Sequence, residues 1–264
     1  MKRIILLLTA LSLLCTAPTD AAAARMRTIN GSGITRTETR EVVPYTGLKV
    51  ARGIEATITD GTPGKLIVNA DEKIFPYLRI SVEEDGILHL TVDSEINSIR
   101  NCNIQISVPK PETLRSVSAS SGAEVECRTV LTTPMLNVRA GSGASVEIAC
   151  QTDGCTLSAS SGAEIKANLS ARRCAIEAHS GAEVSAKGLA TECKINAMSG
   201  ASCKARNLLT QRTEARASSG GSVRITCSET LEASASSGGD VSYWGDCKLI
   251  NLKKSVSGSI THKQ

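Results

Sequence analysis

Aromatic residues are scarce: the 264-residue chain holds one Trp, one Phe and three Tyr. Without rings to fill a wide interior, the core has to be built from Ala, Val, Ile, Leu and Cys. Such side chains suit a thin core between closely spaced backbones, and they exclude the broad interior of an ordinary α/β enzyme. Histidine is equally sparse, with only His89, His179 and His262. These lie far apart and supply neither a recurring base nor zinc-ligand spacing. Charge of one sign is also lacking, since 30 Lys and Arg face 26 Asp and Glu. A nucleic-acid binder needs a concentrated basic face, so that class is set aside. Beyond the first residues no apolar run approaches membrane-spanning length, which excludes a transmembrane helix from the remainder.

The start of the chain has an export pattern. Met1-Lys2-Arg3 precedes the apolar run 4–14, and Ala21-Ala22-Ala23-Ala24 offers a small-residue cleavage site. Residues 1–24 are therefore read as a signal peptide. Cys15 raises the alternative of lipidation, but Leu14 before it is not small, so simple cleavage is favoured. The expected location is exported: periplasm, outer-membrane-associated or cell surface.

What the chain has in abundance is a repeat. Ser-Gly dipeptides place glycine at Gly122, Gly143, Gly162, Gly181, Gly200, Gly220, Gly238 and Gly258, spaced 18 to 21 residues apart. Within each unit the apolar period is two, as in Cys155, Leu157, Ala159 before Gly162 and Ile165, Ala167 after it. Fixed-period self-similarity with strand alternation predicts an all-β, parallel β-solenoid (β-helix) of about eight 19–20-residue coils over residues 114–264. Coils stacked about 4.8 Å apart would form a rod of roughly 35–40 Å. Each glycine is expected to supply a φ > 0 corner, and the serine before it to hydrogen-bond the turn. Residues 25–40 are polar and unpatterned and read as a flexible leader. Residues 41–113 alternate as strands without the Ser-Gly unit, and they are expected to cap the rod, either as a separate β-domain or as its irregular first coils.

The order of these elements resembles a known family. Val50-Ala51-Arg52-Gly53-Ile54-Glu55-Ala56-Thr57-Ile58, the Asp85-Gly86-Ile87-Leu88-His89-Leu90 turn and strand, the Val108-Pro109 strand end and the Ser-Gly-Ala-Glu-Val units together resemble the head GIN domain of auto-transporter adhesins. The likeness covers roughly residues 40–262 and implies an exported β-helical protein of Bacteroidetes-type bacteria. It brings no catalytic residue to carry over. The chain departs from the pattern in having mostly Ala after the corner glycine, where the family often reads Ser-Gly-Ser-Gly-Asp, and in its many Cys.

Candidate chemistry is thin. Apart from Cys15 the cysteines are Cys102, Cys127, Cys150, Cys155, Cys174, Cys193, Cys203, Cys227 and Cys247. Cys155, Cys174 and Cys193 share one position in successive units, and they are read as small buried hydrophobes rather than a metal or redox site. Cys150 and Cys155, either side of a short loop, are the better disulfide candidate, though an odd total argues against a full disulfide framework. Glu124, Glu164, Glu183 and Asp240 make an interrupted acidic ladder with too few oxygens for calcium. The serine ladder has no base beside it. Tyr243 and Trp244 are read as an end-cap plug, or alternatively a binding spot. No cofactor or metal is expected.

The sequence thus predicts an exported, non-catalytic β-solenoid, a cell-envelope scaffold or adhesin-like module for a protein or glycan partner. A carbohydrate-active β-helix enzyme and a periplasmic envelope-assembly or stress factor are the alternatives.

Overall fold

The computed structural model describes residues 27–264. Residues 1–24, read from the sequence as a signal peptide, lie outside the described residues, Cys15 among them. The chain forms nineteen strands there. They are β1 Arg27–Asn30, β2 Thr35–Glu41, β3 Gly47–Ala51, β4 Glu55–Thr59, β5 Lys65–Asp71, β6 Leu78–Val82, β7 Ile87–Val92, β8 Ile96–Arg100, β9 Ile104–Pro109 and β10 Ser116–Ser120. Then follow β11 Glu124–Ala140, β12 Ser145–Ala159, β13 Glu164–Ala178, β14 Glu183–Met198, β15 Ser202–Ser218, β16 Ser222–Ser236, β17 Asp240–Trp244, β18 Lys248–Lys254 and β19 Ser259–His262.

From β10 to β17 each strand pairs in parallel with its successor, and β18 and β19 stack in parallel on β16 and β17, giving a parallel β-solenoid. Equivalent residues stack rung on rung: Val146 on Ile165, Ile165 on Val184, Val184 on Cys203, Cys203 on Val223. Alternation decides what is inside. In β13, Ile165, Ala167 and Leu169 are buried on one stretch, and Cys174, Ile176 and Ala178 on the next. Residues between them face solvent, as the strand period requires. Small residues let the two walls of each coil approach closely. Fully buried Leu and Ile run the length of the rod, from Leu48, Ile54, Leu66 and Ile106 to Leu157, Ile176, Ile195 and Leu231.

The corners are two-residue turns with both residues left-handed. Ser161 has φ 54° and Gly162 φ 70°, and the same pair of values recurs from Ser121-Gly122 to Ser237-Gly238. Two consecutive positive φ values make a type I′ turn, a conformation that glycine adopts at no steric cost. The Ala163 amide donates to the Ser160 carbonyl across the turn, and the Gly162 amide donates to the Ser180 carbonyl of the next coil. Backbone amides therefore hold the corner. The expected hydrogen bonds from corner serine hydroxyls do not form among the described residues.

Two sequence expectations need correction. Gly258 is not a corner glycine. Its φ is not positive, and its amide donates to the Ser255 carbonyl, as the Gly239 amide does to Ser236. Ladder pairing of Asp240 with Ser259 shifts the final Ser-Gly by one residue, so Val256-Ser257 occupies the bend. The stretch read as a flexible leader is also stranded. β1 pairs in parallel with β8, and β2 runs antiparallel along all of β5. Its polar residues hid an edge strand: β2 is exposed throughout save the half-buried Glu38 and is held by its backbone ladder to β5.

Residues 41–113 continue the rod. β3 stacks on β10 and β4 on β11, in the same parallel sense as later coils. Arg52 (φ 64°) and Gly53 (φ 72°) make this coil's corner, and the Gly53 amide donates to the Ser121 carbonyl. Beneath them β7 pairs with β3 and β9 with β4. Antiparallel strands then close the end, β6 against β7 and β5 against β9. The opposite end is uncovered: Leu249, Ile250 and Leu252 of β18 are exposed. Among the described residues no helix is long and apolar enough to cross a membrane.

Candidate binding groove

Two concave tracks run along the rod, one on each side. The smaller, about 520 Å³, has the ladder Cys155, Cys174, Cys193 in its wall. These thiols stack directly, Cys155 on Cys174 and Cys174 on Cys193, with Cys150 beside Cys155. Cys150 and Cys155, the candidate disulfide pair, stand as two free thiols. The neighbouring Cys155 thiol and burial push Cys150 far above its ordinary pKa. Burial alone pushes Cys203 up to about 12. A thiol kept protonated is a poor nucleophile and a poor ligand, and these behave as small apolar side chains. No group of three His, Cys, Asp or Glu able to hold a metal ion occurs among the described residues.

The larger track holds about 900 Å³ and lies past the corners, on the outward face of the first half of each coil. One ladder along it reads Lys166, Ser185, Lys204, Arg224, Ser242, Thr261, each residue stacked on the one before. A parallel ladder two residues on begins Asn168, Lys187, Asn207 and ends Thr226, Trp244. Between these, β15 bulges at residues 205–209 relative to β16. The bulge throws Arg206 outward, and bulges re-aim side chains in this way. Its guanidinium lies over the Trp244 ring at 4.6 Å, a cation–π stack. The Arg206 carbonyl accepts a 2.7 Å hydrogen bond from Thr226 Oγ1, which ties the bulge to the next coil.

Six cationic side chains line the track (Lys166, Lys187, Lys204, Arg206, Arg224, Lys263), against two carboxylates, Glu147 and Asp240. The acidic ladder read from the sequence is partly consumed here. Glu164 pairs with Lys166 at 3.1 Å and Glu183 with Lys204 at 2.6 Å. The Glu164 carboxylate beside Lys166 raises that ammonium's pKa further. No ion pair engages Lys187, Arg206, Arg224 or Lys263 among the described residues.

Tyr243 and Trp244, read together in the sequence, part company. Successive strand residues face opposite sides. Tyr243 is buried and stacks on His262, with ring centroids 4.8 Å apart and planes 12° from parallel. Trp244 turns outward into the track. The corner glycines Gly122, Gly143, Gly162, Gly181, Gly200, Gly220 and Gly238 sit along one edge of this face and bring no chemistry of their own. Sequence reading missed the basic track, because its six cations are spread over a hundred residues and interleaved with acids. The signal was the coil period itself: residues four and six past each glycine share one face.

With fold and track in place, the family is decided by the sequence profile matching residues 44–247, described as "Putative auto-transporter adhesin, head GIN domain". The chain belongs to that family. Solved structures of similar fold include a "putative adhesin" from Parabacteroides merdae ATCC 43184, with a TM-score of 0.81 at 16% identity over 90% of this chain and 99% of that one. A "putative lipid binding protein" from Parabacteroides distasonis ATCC 8503 has a TM-score of 0.82 at 17% identity, covering 90% and 100%. At such identities the likeness establishes the fold alone. No curated protein matches the chain in sequence.

Proposed function

We propose that this head GIN domain protein is an exported binding module of the cell envelope, a stiff rod that holds a ligand along its side and performs no chemistry on it. The basic track carries this reading. It is a concavity of about 900 Å³ built from outward side chains of consecutive coils, with unpaired cations and a half-buried indole where a solvated face would need neither. Support comes from the family's description as adhesins and from the export pattern of residues 1–24.

The test has two parts. Immobilised protein lacking residues 1–24 is challenged with glycan and protein fractions of the envelope, and bound material is analysed by mass. The expected result is retention of a component whose mass is unchanged, whereas cleavage of it would favour the carbohydrate-active enzyme. Protease is then added to intact cells. The rod is expected to be digested, and full protection would contradict display at the surface and favour a periplasmic assembly factor.

A further inference from the structure

We infer that the basic track binds an acidic polysaccharide, a linear sugar polymer bearing carboxylate or sulfate groups along its length. The inference rests on the binding-module reading and gives the ligand its chemistry.

Three observations point to it. The first is spacing. Lys166, Lys187, Lys204 with Arg206, and Arg224 stand on consecutive coils, and Lys263 follows the last strand. Parallel pairing sets the coil step at about 4.8 Å. Lys166, Lys204 and Arg224 share one ladder and Lys187 stands in the ladder beside it, so the partner must repeat its negative charge in short steps along a band two ladders wide. An extended acidic peptide does not, because side chains on one face of a strand recur only every ~6.8 Å. A pyranose ring advances an extended chain by a distance close to the coil step. The second is charge balance. With six cations and two carboxylates in the track, and Lys187, Arg206, Arg224 and Lys263 free of ion pairs, an anionic partner meets side chains that need not break an existing pair.

The third is the Arg206–Trp244 stack. A guanidinium held over an indole has lost much of its side-chain freedom before any ligand arrives, and its planar fork matches carboxylate or sulfate oxygens. The indole adds a flat apolar surface of the kind that suits the face of a sugar ring. A bilayer does not enter a concave track, which separates this ligand from an anionic membrane.

The chain's single tryptophan, Trp244, lies in the track and reports on it by its own fluorescence. Protein lacking residues 1–24 is titrated with polygalacturonate, dextran sulfate and neutral dextran. Either polyanion is expected to change Trp244 emission, the one that does so identifying the acid group, with affinity falling as salt rises. Dextran should have no effect. The Lys187→Glu/Arg224→Glu pair should weaken binding at least about tenfold. A Lys248→Glu/Lys254→Glu pair, with the same charge change away from the track, should stay within about twofold. Lys187→Arg/Arg224→Lys should bind as the parent does, and a circular dichroism melt confirms that each variant is folded.

Silence toward both polyanions overturns the inference. So does equal weakening by the two charge-reversal pairs, which would mean diffuse attraction. Equal binding of dextran, or equally effective competition by phosphatidylglycerol vesicles or duplex DNA, also overturns it. If an envelope protein or neutral glycan is retained while polyanions are ignored, the acidic ligand is wrong and the binding module stands.

Discussion

At the residue scale the fold turns on where a side chain can be accommodated at positive φ. Gly162 (φ +70°) has open space where a Cβ would go, so Gly162→Ala meets only the left-handed backbone cost of about 1–2 kcal/mol. Gly188 (φ +115°) is different: a Cβ there would lie 2.0 Å from the Leu169 carbonyl oxygen of the neighbouring coil. Urea unfolding should show a modest loss of stability for Gly162→Ala and a clearly larger one for Gly188→Ala. Equal losses would contradict the coil-to-coil contact. The two sites also mark how far the sequence could be read. Gly162 belongs to a dipeptide recurring at fixed spacing, so its role was visible. Gly188 has no periodic partner, and its constraint comes from a carbonyl nineteen residues away that only stacking brings close. Gly258 shows the converse, a dipeptide that keeps its spacing while the ladder beneath it has moved by one residue.

At the scale of elements, β1 and β2 form a strap along β8 and β5, and one carboxylate anchors the turn between them. Asp71 is buried; it accepts hydrogen bonds from the Gly33 amide at 2.9 Å and the Lys73 amide at 3.0 Å, and from the Ser32 hydroxyl. Burial by itself would raise its pKa, but the amides of Lys73, Gly33 and Ser32 outweigh that and hold it below the ordinary carboxylate range. A folded-state pKa below the unfolded value means that the stabilisation is present at neutral pH and is lost as pH falls through the acid range. Hydrogen exchange of β2 amides, corrected for intrinsic rate, should therefore quicken as pH falls from about 5 through and below the ordinary aspartate value of about 4. In Asp71→Asn, β2 should already exchange faster at pH 7 and lose most of this pH dependence. Unchanged protection of β2 across that range in the parent protein would contradict the role of Asp71. This strap was illegible in the sequence because its strands carry almost no apolar residues. The anchor is a buried acid thirty-eight residues from the glycine it holds.

At the scale of the whole molecule, stacking sorts a nearly neutral sequence into faces of distinct character. The chain gives no sign of a basic face when read linearly, yet the coil period lines up Lys166, Lys204 and Arg224, and a bulge adds Arg206. The parallel rod was legible, since eight Ser-Gly units and a period of two leave few other ways to bury Ala, Val and Ile. The continuity of residues 41–113 with the rod was not, because the Arg52-Gly53 corner shares only its glycine with the later ones.

Everything from the track to its ligand depends on parallel, in-register stacking, and methyl–methyl nuclear Overhauser contacts test it most directly. The account predicts contacts for Leu157–Ile176, Ile176–Ile195, Val146–Ile165 and Ile165–Val184, the stacked pairs of adjacent coils. It predicts none between Val125 and Val184, three coils apart at roughly 14 Å. Loss of the adjacent-coil contacts, or their replacement by an antiparallel set linking the start of one unit to the end of the next, would contradict it.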